Sequence, residues 1–132
     1  MTLKDTNHYK ENDLEQLFRS VDWQSGKYPD KLKKAMKKSD RVISMWDDDK
    51  LVGLMSAITD SEMTVYFPYL LVMPEYQGKG IGKKLCLNML EHYKDYYRKV
   101  LTCYDDKLEF YKKMGFKTEE GRYCVSIETE EK

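Results

Sequence analysis

The stretch Leu70-Leu71-Val72-Met73-Pro74-Glu75-Tyr76-Gln77-Gly78-Lys79-Gly80-Ile81-Gly82-Lys83-Lys84 constrains this chain more than any other. An apolar run stops at Pro74, a polar turn follows, and three glycines at alternate positions lead into an apolar pattern of helical period. The order is strand, loop, helix N-terminus. A helix start leaves backbone N–H groups without intrahelical partners and carries the positive end of the helix dipole, so it seats anions. Glycines let a ligand approach the bare backbone. Lys79, Lys83 and Lys84 add positive charge with no acid inside the loop. The expected guest is a phosphorylated cofactor.

Spacing separates three phosphate-binding loops. A Rossmann turn needs a third glycine three residues after the second, and from Gly78 and Gly80 that position holds Lys83. A Walker loop needs four residues between its first glycine and Gly-Lys-[Ser/Thr]; three separate Gly78 from Gly82, and Lys84 follows Lys83. What fits is Gln-x-x-Gly-x-Gly, at Gln77, Gly80 and Gly82, directly after the apolar run that ends in Val72-Met73-Pro74. This resembles the acetyl-CoA pyrophosphate loop of the GNAT superfamily of acyl-CoA-dependent N-acyltransferases. Downstream, Phe110, Tyr111, Gly115 and Phe116 stand in a segment that resembles the Phe-Tyr-x-x-x-Gly-Phe signature of the same superfamily.

The 132 residues suit one domain, 1–132, with a genuine core. Apolar residues make up 41% and aromatic residues 13%, which places the chain among globular proteins despite 35% charged residues. Lys+Arg and Asp+Glu both number 23, so no global field recruits nucleic acid or an anionic membrane, and an anion site must be built locally. No apolar run approaches the ~20 residues that span a bilayer, and the N-terminal residues do not open a signal peptide. The expectation is a cytoplasmic protein. Cys86, Cys103 and Cys124 show no C-x-x-C spacing and read as buried, reduced thiols. His8 and His92 are solitary, so no metal site is expected.

In chain order, Leu14, Leu17, Phe18 and Val21 predict a helix over about 12–21 capped by Asn12 or Asp13. A loop at 23–30 precedes a lysine-rich helix over 30–38 with Leu32, Ala35 and Met36 inward. Its lysines read as a solvated face rather than a nucleic-acid surface, because no aromatic residues interleave with them. Runs at 40–46 and 51–58 flank the turn Asp47-Asp48-Asp49-Lys50 and predict a hairpin; the aspartates lack the glycine and distal glutamate of an EF-hand loop. A long strand over 63–73 must place Pro68 at a bulge or an unpaired edge. Ile81, Leu85, Cys86, Met89, Leu90, Tyr93 and Tyr97 predict a core-packed helix, and 99–103 a short buried strand. A helix capped by Asp105 or Asp106, with Asp106 and Glu109 as a capping box, ends at Gly115. Tyr123–Ile127 alternates as a last strand ahead of a frayed acidic tail, Glu128–Lys132.

The resemblance implies an α/β fold: a twisted mixed sheet of six or seven strands with about four helices on both faces. It implies transfer of an acetyl group from acetyl-CoA to a primary amine of a small molecule or peptide, by direct attack in a ternary complex. The long strand then splays, and backbone groups of Leu71, Val72 and Met73 pair with the pantetheine arm. Gln77, Gly78, Lys79, Gly80, Ile81, Gly82, Lys83 and Lys84 hold the diphosphate. Tyr111 is the acid that protonates the departing thiolate, and the Val72 N–H polarises the thioester carbonyl. Tyr104 occupies the place of an Asn that contacts pantetheine or acceptor in relatives, and Tyr69 the place of a carboxylate. The general base is left among Asp60, Glu62 and a water chain. Trp23, Tyr28 and Tyr69, with Asp60, are the candidate acceptor residues, since aromatic rings suit an ammonium group. No metal, nucleic acid or membrane enters this reading, and pairing of two copies through terminal strands is implied. The rivals are a non-catalytic acyl-CoA-binding module of the same fold and a nucleic-acid-binding domain using the lysines of 31–38.

Overall fold

The structure, a computed structural model, describes residues 1–129. It divides into two compact units, Met1–Leu101 and a second that begins at Thr102. The first holds β1 (Thr2–Asp5), α1 (Glu11–Ser20), a 3-10 turn (Gln24–Lys27), α2 (Pro29–Lys38), β2 (Arg41–Asp47), β3 (Lys50–Thr59), β4 (Thr64–Tyr66), β5 (Leu70–Val72), a second 3-10 turn (Pro74–Tyr76), α3 (Ile81–His92) and β6 (Arg98–Val100). The second holds a 3-10 turn (Asp105–Lys107) and α4 (Leu108–Lys113).

The sheet has six strands in the order β1-β2-β3-β4-β6, with β5 also on β3. All pairs are antiparallel except β4 with β6, so the sheet is mixed and the fold is α/β as expected. Strand alternation separates its faces. Gly53, opposite Val72, lies under Ile81 and Leu85 of α3. Tyr69, three positions before Val72, points to the other face and meets Phe18 of α1, ring centroids 5.0 Å apart. Leu14, Leu17, Phe18, Val42, Leu54, Met55, Leu85 and Met89 are fully buried between these layers. Complete burial of each such side chain contributes roughly 1.5–3 kcal/mol over exposure.

Pro68 splits the expected long strand. On its N-terminal side β4 pairs with Ile58 and Thr59 and with β6, and Phe67 N–H continues onto Val100 O at 3.0 Å. On its C-terminal side Tyr69 O accepts from Ser56 N–H at 3.0 Å and β5 stays on β3. A residue with no N–H cannot serve both ladders. The two halves therefore part company, and one edge of β5 is left without a strand among the described residues.

Several expectations are corrected. β1 was not foreseen, because only Leu3 of its four residues is apolar. α1 begins at Glu11 with Lys10 at the cap, so Asn12 and Asp13 lie inside its first turn. Ala35 is exposed, since Leu32 and Met36 alone fill the inner face of α2. Tyr97 lies beyond the end of α3 and is 82% exposed. The strand expected at 99–103 ends at Val100, because β4 stops at Tyr66 and offers no longer ladder; Cys103 is exposed, and only Cys86 is the expected buried thiol. No Asp106–Glu109 capping box forms, because Asp106 sits in the 3-10 turn and α4 starts at Leu108 without a side-chain cap. Gly115 does end α4 at φ +105°: Gly115 N–H reaches Lys112 O and Phe116 N–H reaches Tyr111 O, the two bonds of a Schellman cap. Tyr123–Ile127 forms no strand. Its alternation has no ladder partner among the described residues, and Tyr123, Val125, Ile127 and Cys124 are exposed. Residues 130–132 of the expected tail lie outside the described residues.

Candidate functional site

The pairing of β5 with β3 decides which backbone groups can meet a ligand. Met73 N–H donates to Val52 O at 2.8 Å and Ser56 N–H to Tyr69 O, so Val52/Met73, Leu54/Leu71 and Ser56/Tyr69 are the hydrogen-bonded pairs. The alternate residues, Leu70 and Val72, turn their N–H and C=O groups to the open edge. Met73 C=O accepts from Tyr76 N–H at 2.9 Å, so both backbone groups of Met73 are spent. Of the three residues expected to pair with an arm, Val72 keeps its backbone groups at the open edge together with Leu70, while Leu71 and Met73 face β3. The Val72 carbonyl also accepts from Gln77 Nε2 at 2.8 Å, which ties the loop to the strand edge.

The loop itself is built on two left-handed residues, Gly78 at φ +79° and Gly80 at φ +83°, the latter capping α3. Nothing lies within 4 Å of where a Cβ would stand on either glycine, so this backbone faces open space. Gln77 N–H goes to Pro74 O and Lys84 N–H to Gly80 O. The six residues between them, 78–83, donate no backbone N–H to any acceptor among the described residues. A consecutive run of unpartnered N–H groups at the start of a 12-residue helix has the chemistry to seat an anion. Lys79, Lys83 and Lys84 are exposed around it.

Trp23 and Tyr69 come together as the sequence suggests, ring centroids 6.2 Å apart, and Phe18 completes the cluster at 6.0 Å from Trp23. Phe18 was read only as helix core; its helical spacing carried no hint that its edge meets two rings. Tyr28 joins the 3-10 turn to α2 through its backbone. Asp60 is part of the β3–β4 turn. Its Oδ1 accepts the N–H groups of Glu62, Met63 and Thr64 at 2.9, 2.8 and 3.1 Å, and these bonds hold its carboxyl below the usual carboxylate range. A carboxylate so stabilised is a poor proton acceptor. In the second unit, Tyr104 is exposed at the start of the 3-10 turn, and Tyr111 is buried, edge-on to Phe110 and Phe116. Two surface depressions of the first unit, about 320 and 980 Å³, are lined by residues of 4–13 with Lys33, Lys37, Trp46 and Asp49, and by none of the expected site residues.

The mixed sheet, its split strand and the glycine-rich helix start are consistent with the resemblance seen in the sequence, and the comparisons with known proteins agree on the family. The acetyltransferase (GNAT) domain family matches residues 6–126, and the chain belongs to that family. An uncharacterized N-acetyltransferase, ycf52, of Pyropia yezoensis is 32% identical over 119 residues, covering 86% of this chain and 66% of that protein, just under two thirds of its length. A GNAT-family acetyltransferase from Streptococcus pneumoniae TIGR4 superposes with a TM-score of 0.83 at 28% identity, covering 98% of each chain. An aminoglycoside N-acetyltransferase solved in complex with CoA shares the fold at a TM-score of 0.71 and 14% identity, covering 96% of this chain and 93% of that one.

Proposed function

We propose that this protein transfers the acetyl group of acetyl-CoA to a primary amine. The observation that carries the reading is the run of six unpartnered N–H groups at 78–83, joined to the open edge of β5 by Met73, the 3-10 turn Pro74–Tyr76 and Gln77. A diphosphate answers the first feature and the amides of a pantetheine arm answer the second, so one extended ligand accounts for both. An aminoglycoside N-acetyltransferase of the same fold is solved in complex with CoA, which supports the choice of coenzyme. The family match crosses the boundary at Leu101, which supports one functional domain over both units.

In this reading Leu70 and Val72 hold the arm in register and Val72 N–H polarises the thioester carbonyl. A neutral amine attacks that carbon, the C–S bond breaks as the C–N bond forms, and the sulfur leaves with a proton. An alkyl thiol has a pKa of only about 8.5, so a weak acid suffices, and the signature motif assigns that role to Tyr111. Trp23 and Tyr69, half-buried and backed by the fully buried Phe18, form the wall against which the amine stacks. With Asp60 committed to its turn, the amine loses its proton to Glu62 or to water. The acceptor is a small-molecule or peptide amine.

Calorimetry with acetyl-CoA, followed by thiol release across an amine library, tests the reading. Binding with a 1:1 stoichiometry and release that falls at least tenfold in Tyr111→Phe are expected. Absence of heat would remove the coenzyme. Binding without release from any amine would leave a non-catalytic acyl-CoA-binding module.

A further inference from the structure

Tyr76 lies at the front of the coenzyme loop, and neither motif explains it. Its hydroxyl donates to Asp47 Oδ2 at 2.6 Å, reaching from the loop to the β2–β3 turn 29 residues earlier. Its ring carries two ammonium groups: Lys79 Nζ of the loop at 5.2 Å from the centroid and Lys50 Nζ of the turn at 5.5 Å. Lys50 also meets Glu75 at 3.7 Å. Two segments distant in sequence are thus joined at one aromatic side chain, and the joint sits immediately before the residues whose N–H groups are unpartnered.

A loop with two left-handed glycines has many conformations, and a ligand that needs one of them loses affinity to the ordering cost. The Tyr76 joint lowers that cost in advance. The Asp47 carboxylate, chiefly through this hydrogen bond, raises the Tyr76 pKa and keeps the hydroxyl a donor at physiological pH. The ring face also restrains Lys79, whose ammonium makes no ion pair among the described residues.

We propose that Tyr76 is a positioning residue for the coenzyme: held by Asp47, it fixes the loop with residues 78–83 in their ligand-ready arrangement and keeps Lys79 above its ring as counter-charge for a phosphate. The proposal rests on the coenzyme reading of the same loop. Calorimetric affinity for acetyl-CoA and the melting temperature of the unliganded chain are measured for the parent, Tyr76→Phe, Asp47→Ala and Asp47→Asn. Tyr76→Phe and Asp47→Ala weaken binding about 3–10-fold, the range of one lost hydrogen bond. Their combination is no worse than either alone. Asp47→Asn, whose amide oxygen still accepts from the hydroxyl, binds within about twofold of the parent. Parent-like affinity in Tyr76→Phe, or an Asp47→Asn as weak as Asp47→Ala, overturns the proposal, as does a change confined to melting temperature. A parent protein that binds no acetyl-CoA overturns the coenzyme reading itself, so the two failures are distinct.

Discussion

Gly53→Ala tests how the sheet supports the glycine-rich loop. Gly53 sits on β3 opposite Val72, beneath the first turn of α3. A Cβ there would meet Ile81 Cγ2 at 3.1 Å and Leu85 Cδ1 at 3.3 Å, both tighter than ordinary contact, so the neighbours must give by a few tenths of an ångström. Ile81 is β-branched and nearly buried, and it is the first residue of α3, so yielding there moves the helix start. Overpacking of this kind costs about 1–3 kcal/mol. The smaller entropy of the unfolded alanine chain offsets about 0.4–1 kcal/mol of it. The net is about 0.5–2 kcal/mol, a fall in melting temperature of roughly 2–8 °C for a chain of this size. Affinity for acetyl-CoA should fall with it, because the displaced residues carry the N–H cradle. Ile81→Leu removes the offending Cγ2, so Gly53→Ala/Ile81→Leu should recover about 0.5 kcal/mol or more beyond additivity. Scanning calorimetry and titration decide. A variant that melts within about 1 °C of the parent and binds equally well would show that α3 does not rest on Gly53.

Three further outcomes follow from named contacts. Burial pushes the Tyr9 hydroxyl up to about 12 and the Cys86 thiol up to about 11, from ordinary values of 10.0 and 9.0. The folded state holds these protons more tightly, so urea midpoints should be level below the ordinary values and fall as pH climbs toward 11 and 12, with Tyr9→Phe and Cys86→Ala each flattening part of that fall. Asn7 Nδ2 donates to Met36 O at 3.0 Å and Ser39 O at 2.7 Å, closing the C-terminal end of α2. Asn7→Ala should cost about 1–3 kcal/mol in urea unfolding, and Asn7→Asp more at neutral pH, where a carboxylate would face two carbonyls, with the gap narrowing in acid. Asp60, its carboxyl held below the ordinary range, contributes stability above that range that is lost as pH falls through the folded value. Asp60→Asn should therefore flatten the acid limb of the stability profile while leaving thiol release intact.

The sequence made the first unit legible where periodicity and turn chemistry spoke together. Leu14, Leu17 and Phe18 marked α1, the Asp47–Lys50 turn marked the hairpin, and Pro68 marked the break that opens β5. Register was out of reach, because no local pattern says that Met73 rather than Val72 spends its N–H on β3. The contacts of Tyr76 with Asp47 and of Phe18 with Tyr69 join residues far apart in the chain, and their residue types are ordinary at each end. Tyr123–Ile127 shows the converse. Alternation is a statement about side chains, and a strand also requires a neighbour to bond.

The two motifs differ in how far structure separates function from packing. Buried backbone donors are almost always satisfied, and a consecutive unsatisfied run is tolerated where water reaches it, as it does at exposed Gly78, Lys79, Gly80 and Lys83. The N–H groups of Ile81, Gly82 and Lys83 are free as at any helix start, and the loop extends that run back through Gly78, Lys79 and Gly80, with Ile81 against Gly53 and Gln77 on Val72 holding its two ends in place. A local rule broken on a rigid support is where function is expected. The motif around Tyr111 breaks no rule. Its backbone closes a Schellman cap, and its ring packs on Phe110 and Phe116 whatever its hydroxyl does. Tyr111 would be held in the same place by stability alone, so the chemical role must be read from thiol release in Tyr111→Phe at unchanged melting temperature.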